Sequence, residues 1–196
     1  MRYLEEEEGF RVTYLPVDCC GRVKLDALKE ALCPETILVS IMYVNNEVGT
    51  VQPVEEAASI VKDYNPSILF HSDAVQGFGK YRIYPKRQKI DLLSVSGHKI
   101  HGPKGTGFLY IGEKVKIRPI LFGGGQQRDI RSGTENVPGI AGLGLAAELA
   151  YKDFDIKTAL MRELKEYFIS EIGKMENTVI HGVADEGSAP HIISWV

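Results

Sequence analysis

The sequence lacks the marks of several specialised classes. It contains no run of roughly 18 apolar residues, so nothing in it reads as a bilayer-spanning helix. Basic residues have no excess: 23 Lys and Arg stand against 26 Asp and Glu, a formal charge of -3. Without a basic stripe, direct nucleic-acid binding is not expected. The chain opens Met1-Arg2-Tyr3-Leu4 and continues with Glu5 to Glu8, where a secretory leader would place its apolar segment. These glutamates read instead as the solvated end of a helix. Cysteine is scarce, with Cys19, Cys20 and Cys33 only. Adjacent cysteines seldom reach bridging geometry, so a reducing, cytoplasmic location is expected. Neither C-x-x-C nor H-E-x-x-H occurs, and His98 and His101 have no carboxylate or thiol beside them; no metal site is expected.

What is present is ordinary globular material: 196 residues, 44 % hydrophobic and 25 % charged, enough for one large domain, or one and a half small ones, with a buried core. Alternation over Phe10–Leu15 predicts a strand, and apolar residues 25, 28 and 32 predict a short helix. Residues 36–44 are nearly continuous β-formers, the pattern of a strand buried on both faces. Pro53 opens a helix whose stripe is Val54, Ala57, Val61 and Tyr64, with Glu55 and Glu56 at its positive end. Further strands are predicted at 67–73, 91–96, 106–111 and 178–181. A long helical pattern runs from Pro138 to about Gly173, with a break near Asp153–Asp155. Strands alternating with helices imply an α/β sheet covered on both faces, whose ligands bind beyond the carboxyl ends of the strands.

Those ends carry Asn45-Asn46-Glu47, Asp73, and Ser96-Gly97-His98-Lys99. Several glycine motifs have plainer readings. Gly142-Leu143-Gly144-Leu145-Ala146-Ala147 fits the dinucleotide pattern but lies inside a helix, where close packing explains its glycines. Gly77–Lys80 and Gly102–Gly105 lack the order of a nucleotide P-loop. The stretch from Gly123 to Arg128, continuing to Thr134, is open to two readings, an anion-binding loop or a plain surface loop. Asp18-Cys19-Cys20-Gly21 reads as a turn rather than a nucleophile site.

Lys99 follows a predicted buried strand and stands beside His98. A desolvated lysine near another cation can form a Schiff base with an aldehyde. Pyridoxal phosphate chemistry needs such a lysine, a carboxylate for the pyridine nitrogen and a phosphate cradle. Asp73 can supply the carboxylate; Ser96, His98 and Thr134 can supply the cradle.

The segments NNEVG at 45–49, HSDAVQ at 71–76, SVSGHKIHGPKGTG at 94–107 and GGGQQRDIRSGTENVPGIAG at 123–142 resemble the cysteine desulfurases. These are class V aminotransferase-like members of the fold-type-I pyridoxal phosphate enzymes. The resemblance implies a three-layer α/β/α large domain, with residues 1–150 as the cofactor-binding core. Residues 151–196 would then be a helix and the start of a small domain. It implies that Lys99 holds the cofactor covalently, that Asp73 pairs with the pyridinium nitrogen, and that Asn46 and Gln76 lie near the phenolic oxygen. Ser96 and His98 would contact the phosphate, and Thr134 would reach the phosphate of a neighbouring subunit in a homodimer.

By the same resemblance, the parent reaction converts L-cysteine to L-alanine and leaves a persulfide for acceptors such as an iron–sulfur scaffold or tRNA thiolation. Two departures are expected. The family's sulfur-accepting cysteine belongs beyond the segment Ser188-Ala189-Pro190-His191, and Cys19, Cys20 and Cys33 do not occupy it. The family's cofactor-stacking histidine belongs before residue 1. The chain thus reads as the core of a desulfurase cut at both ends, without turnover of its own. Selenocysteine lyase and a non-catalytic scaffold are the rival readings.

Overall fold

A computed structural model describes residues 1–182 and 187–196. In chain order its elements are α1 (Arg2–Glu6), α2 (Leu25–Ala31), β1 (Leu38–Ser40), α3 (Val54–Tyr64), β2 (Leu69–Asp73) and β3 (Leu92–Ser96). A 3-10 turn (Gly97–Ile100) follows, then β4 (Gly107–Ile111), α4 (Val137–Tyr151), α5 (Phe154–Ile172), β5 (Ile180–His181) and β6 (Ser194–Trp195). The main sheet runs in the order β1-β2-β3-β4. β1, β2 and β3 are parallel, and β4 turns back antiparallel on β3.

Period-2 geometry sends alternate side chains to opposite faces of this sheet. Val39, Phe70, Leu93 and Val95 point to one face and are buried against the stripe of α3, where Val54, Ala57, Ala58 and Val61 are at most 2 % exposed. Leu28 of α2 joins the same core. At the amino end of the sheet, Lys62 donates to Asp91 Oδ2 at 2.5 Å and to Ile68 O at 2.6 Å. Asp91 Oδ2 also accepts the N–H of Phe70 at 2.7 Å. One carboxylate thus ties α3, β2 and β3 together.

The opposite face corrects the expected burial on both sides. Leu38, Ser40 and Leu109 are exposed there, and Leu69, His71, Leu92, Ser94 and Ile111 are half-buried. β-Forming composition reports strand formation, not how many layers cover the strand, so the α/β class holds while the described helices bury one face. On the open face His71 bridges three strands: Nδ1 is 2.8 Å from Ser40 Oγ and Nε2 is 2.9 Å from Ser94 Oγ.

Other expectations fare unevenly. Phe10–Leu15 forms no strand; Phe10 and Tyr14 are exposed, and only an isolated Val17–Val23 bridge forms nearby. Alternation there reflects Leu15 packing on the core, without a partner strand in reach. The stretch 36–44 shortens to β1, although its ladder continues through Ile41 N to His71 O and Tyr43 N to Asp73 O. The turn at Asp18–Gly21 forms, with Asp18 Oδ1 accepting the N–H groups of Cys20 and Arg22, both at 2.9 Å. The helix break falls where expected, at Asp153, whose φ is 53°. Gly142 supports the packing reading, since a Cβ there would lie 2.7 Å from Pro103 Cγ; Gly144 faces open space.

Phe70 is fully buried at the centre of this core. Phe70→Ala is expected to cost about 3–5 kcal/mol of stability, read as a lowered midpoint in urea unfolding at unchanged slope.

Candidate active site

Parallel strands finish at the same edge of a sheet, and the groups that follow them are thereby collected along one line. Backbone hydrogen bonds beyond the strands maintain that line: Tyr43 N donates to Asp73 O at 2.7 Å, and Ala74 N to Ser94 O at 2.9 Å. Asp73 closes β2 with its carboxylate exposed, and Oδ1 accepts the N–H of Val75 at 2.9 Å. The second carboxylate oxygen accepts no hydrogen bond among those described.

After Ser96 the chain winds directly into the 3-10 turn. Gly97 makes this possible, because a Cβ at that position would fall 2.8 Å from Thr106 Oγ1 and 3.0 Å from Leu143 Cδ1. Its N–H donates to Thr106 O, and its carbonyl accepts from Gly102 N, each at 2.9 Å. Ile100 is buried against Leu143 and Ala146 of α4. With Ile100 pinned inward, His98 and Lys99 are turned outward and exposed. Ser96 Oγ and His98 Nδ1 meet at 2.7 Å, so the two groups assigned to one phosphate cradle are side by side. The desolvation expected for Lys99 is not supplied by its described neighbours.

The remaining assigned residues divide. Asn46 is exposed, and its amide donates to Glu47 Oε1 at 2.7 Å. Its neighbour Asn45 is structural, accepting the N–H groups of Glu47 and Val48. Gln76 is half-buried, with Oε1 3.4 Å from His191 Nε2. Thr134 is exposed on a loop whose hydrogen bonds close upon itself, among them Gly133 N to Gln126 Oε1 at 3.0 Å and Ser132 N to Leu121 O at 3.2 Å. None of the described hydrogen bonds joins Thr134 to the strand ends.

Three further residues enter the site from distant sequence. His191 belongs to the segment that crosses residues 49–51, held by Val51 N to Gly187 O and Ala189 N to Gly49 O. Lys165 of α5 is buried and donates to Ser188 Oγ at 2.6 Å and Ala189 O at 2.8 Å. Lys80 follows the Gly77–Gly79 bend, and burial pushes its ammonium below the usual lysine value. Burial, reinforced by the charges of Lys80, Lys165 and Lys99, pushes His191 down to about 4. His71 is also lowered, chiefly by burial, with Asp73 opposing. Lys80 and Lys165 carry no local signal in the sequence, because burial created by the fold sets their environment. His191 instead closes the segment Ser188-Ala189-Pro190-His191, which the resemblance singled out without giving His191 a role.

The aminotransferase class V family model matches residues 1–196. The chain belongs to that family. It is 49 % identical over 177 residues to the cysteine desulfurase IscS of Methanosarcina thermophila, a match covering 90 % of this chain and 43 % of the relative. Among solved structures, a NifS-like protein superimposes with a TM-score of 0.92 at 44 % identity, covering 96 % of this chain and 51 % of that one. SspA in complex with cysteine superimposes at 0.70 and 43 % identity, over 73 % and 41 % of the two chains. The chain therefore spans about half the length of the relatives it matches.

The depressed histidines fix a pH dependence. A histidine with a folded pKa near 4 and an ordinary value of 6.5 binds more protons when unfolded than when folded between those limits. Its contribution is complete above pH 6.5 and declines as pH falls toward 4. Urea titrations should show His191→Gln losing less stability than the wild type over that interval.

Proposed function

We propose that this class V aminotransferase family member binds pyridoxal phosphate at the carboxyl edge of its sheet and serves a cysteine desulfurase. The observation that carries the reading is the donor set on that edge. An amine (Lys99), a carboxylate with an uncommitted oxygen (Asp73), a hydroxyl–imidazole pair (Ser96 and His98) and an amide (Gln76) lie on or just beyond neighbouring strand ends. Those types match an aldehyde, a pyridine nitrogen, a phosphate and a phenolic oxygen. When bound, the cofactor supplies an electron sink for bond cleavage at the substrate α-carbon.

In this reading Lys99 holds the cofactor covalently and then moves a proton at the substrate carbon. Its place on a turn seated through Ile100 limits where its amine can travel. Asp73 keeps the ring nitrogen protonated, and the N–H of Val75 orients the carboxylate for that task. Ser96 and His98 bind the phosphate together. Asn46, by reorienting away from Glu47, joins Gln76 at the phenolic oxygen. L-Cysteine is the proposed substrate, with L-alanine and a persulfide as products and iron–sulfur scaffold proteins among the acceptors.

Cys19 and Cys20 are free thiols on the 18–21 turn, and Cys33, also free, accepts a hydrogen bond from Arg11 at 3.1 Å; none lies on the strand ends that carry the proposed donor set. A homodimer is proposed for the Thr134 loop, which is preceded by Ile120, Leu121 and Phe122, exposed at 89 %, 48 % and 81 %. Residues 1–150 form the proposed cofactor-binding core, and 151–196 begin a second domain in a cytoplasmic protein.

Incubation with pyridoxal phosphate should give a yellow, borohydride-reducible adduct that peptide mapping places on Lys99, and Lys99→Ala should abolish it. A colourless wild type, or an equal adduct in the variant, overturns the reading.

A further inference from the structure

The segment after Gly187 places an imidazole against one of the proposed cofactor contacts. His191 Nε2 stands 3.4 Å from Gln76 Oε1, and Nδ1 is buried without a hydrogen-bond partner among the described residues. An amide oxygen only accepts, so the hydrogen between them is carried by Nε2. Nδ1 then holds the lone pair, and a proton on that side would be a buried donor with nothing to receive it. Among the described residues, the charged groups acting on the ring are all ammoniums: Lys80 from the bend after β2, Lys99 from the 3-10 turn and Lys165 from α5. Lys165 is itself fastened to Ser188 and Ala189, two and three residues before His191, which fixes the approach of the segment. Burial and this surrounding charge keep the ring neutral far below ordinary pH.

We infer that His191 is a positioning residue for Gln76, a neutral Nε2–H donor that fixes the amide oxygen and leaves the amide NH2 as the free end. The inference rests on the reading that Gln76 meets the phenolic oxygen of pyridoxal phosphate. An unrestrained glutamine amide can present either end to a ligand, and only the NH2 end suits an acceptor. A donor on its oxygen removes the wrong orientation before the ligand arrives. The neutral ring performs this without adding a fourth cation.

Nitrogen-15 NMR of the cofactor-free chain reads the ring directly. His191 should remain a neutral Nε2–H tautomer as pH is lowered through 6.5. With pyridoxal phosphate added, His191→Leu should weaken binding roughly 2- to 10-fold, the worth of one hydrogen bond. His191→Gln, which keeps a donor, should restore most of that loss. Gln76→Ala should lose at least as much as the leucine variant, and the double variant should lose no more than Gln76→Ala alone. An Nδ1–H ring, an imidazolium at neutral pH, or additive losses overturns the assignment. Should the leucine variant fail to fold, the wild-type tautomer and the glutamine variant still decide it. A wild type that takes up no pyridoxal phosphate overturns the cofactor reading, whereas the ring tautomer tests the His191–Gln76 arrangement without cofactor.

Discussion

The parallel hydrogen-bond ladder of β1, β2 and β3 is the constraint on which the site depends. It does not stop where the regular strands stop. Ile41 N to His71 O, Tyr43 N to Asp73 O and Ala74 N to Ser94 O extend it toward the carboxyl edge. These bonds fix the spacing between the end of one strand and the next, and so between the groups that emerge there. Had β2 slipped by one residue against β3, every side chain on it would change face. Asp73 and Ser96 would then no longer share one side of the sheet. Asp91 opposes that slip at the other end, where its carboxylate holds the N–H of Phe70 and the ammonium of Lys62.

Packing is uneven across the sheet, and the asymmetry bears on the chemistry. The face under α3 is apolar and closed. The open face carries Ser40, His71 and Ser94 joined in a line, a polar network spanning three strands. A neutral imidazole has one donor and one acceptor nitrogen, so one serine donates to it and the other accepts. Such a line resists shear between strands that side-chain packing on this face does not restrain. Asp73 lies next along the same face, two residues beyond His71, and inherits a strand held from both sides.

The elements that build the edge were legible because each depends on neighbours in sequence. The α3 stripe apart from Tyr64, which is exposed, the β2 and β3 runs, the turn at Asp18 and the break at Asp153 all follow from spacing or turn chemistry. The four motifs around 45–49, 71–76, 94–107 and 123–142 lie where the fold collects strand ends and loops. Phe10–Leu15 misled because alternation cannot report whether a partner strand is near. Burial of 36–44 on both faces misled because composition does not count covering layers. Lys80 and Lys165 stayed hidden for a related reason, and the environment of His191, though its segment was singled out, was not legible either. Lys165 is buried and donates to Ser188 and Ala189, and His191 is lowered chiefly by burial, with charges from three separate elements adding to it.

Those charges give the site its electrical character. Several lysines elsewhere are paired with carboxylates, among them Lys62 with Asp91, Lys86 with Glu113 and Lys174 with Glu171. Near His191 the arrangement differs. Lys80 and Lys165 are desolvated, and among the described residues neither has a carboxylate partner. Like charges gathered without counter-ions repel, and burial raises the cost of each. A neutral His191 limits that cost by withholding one more charge from the cluster. The ladder thus sets where the strand-end groups stand, and burial sets the charge state of the residues packed behind them.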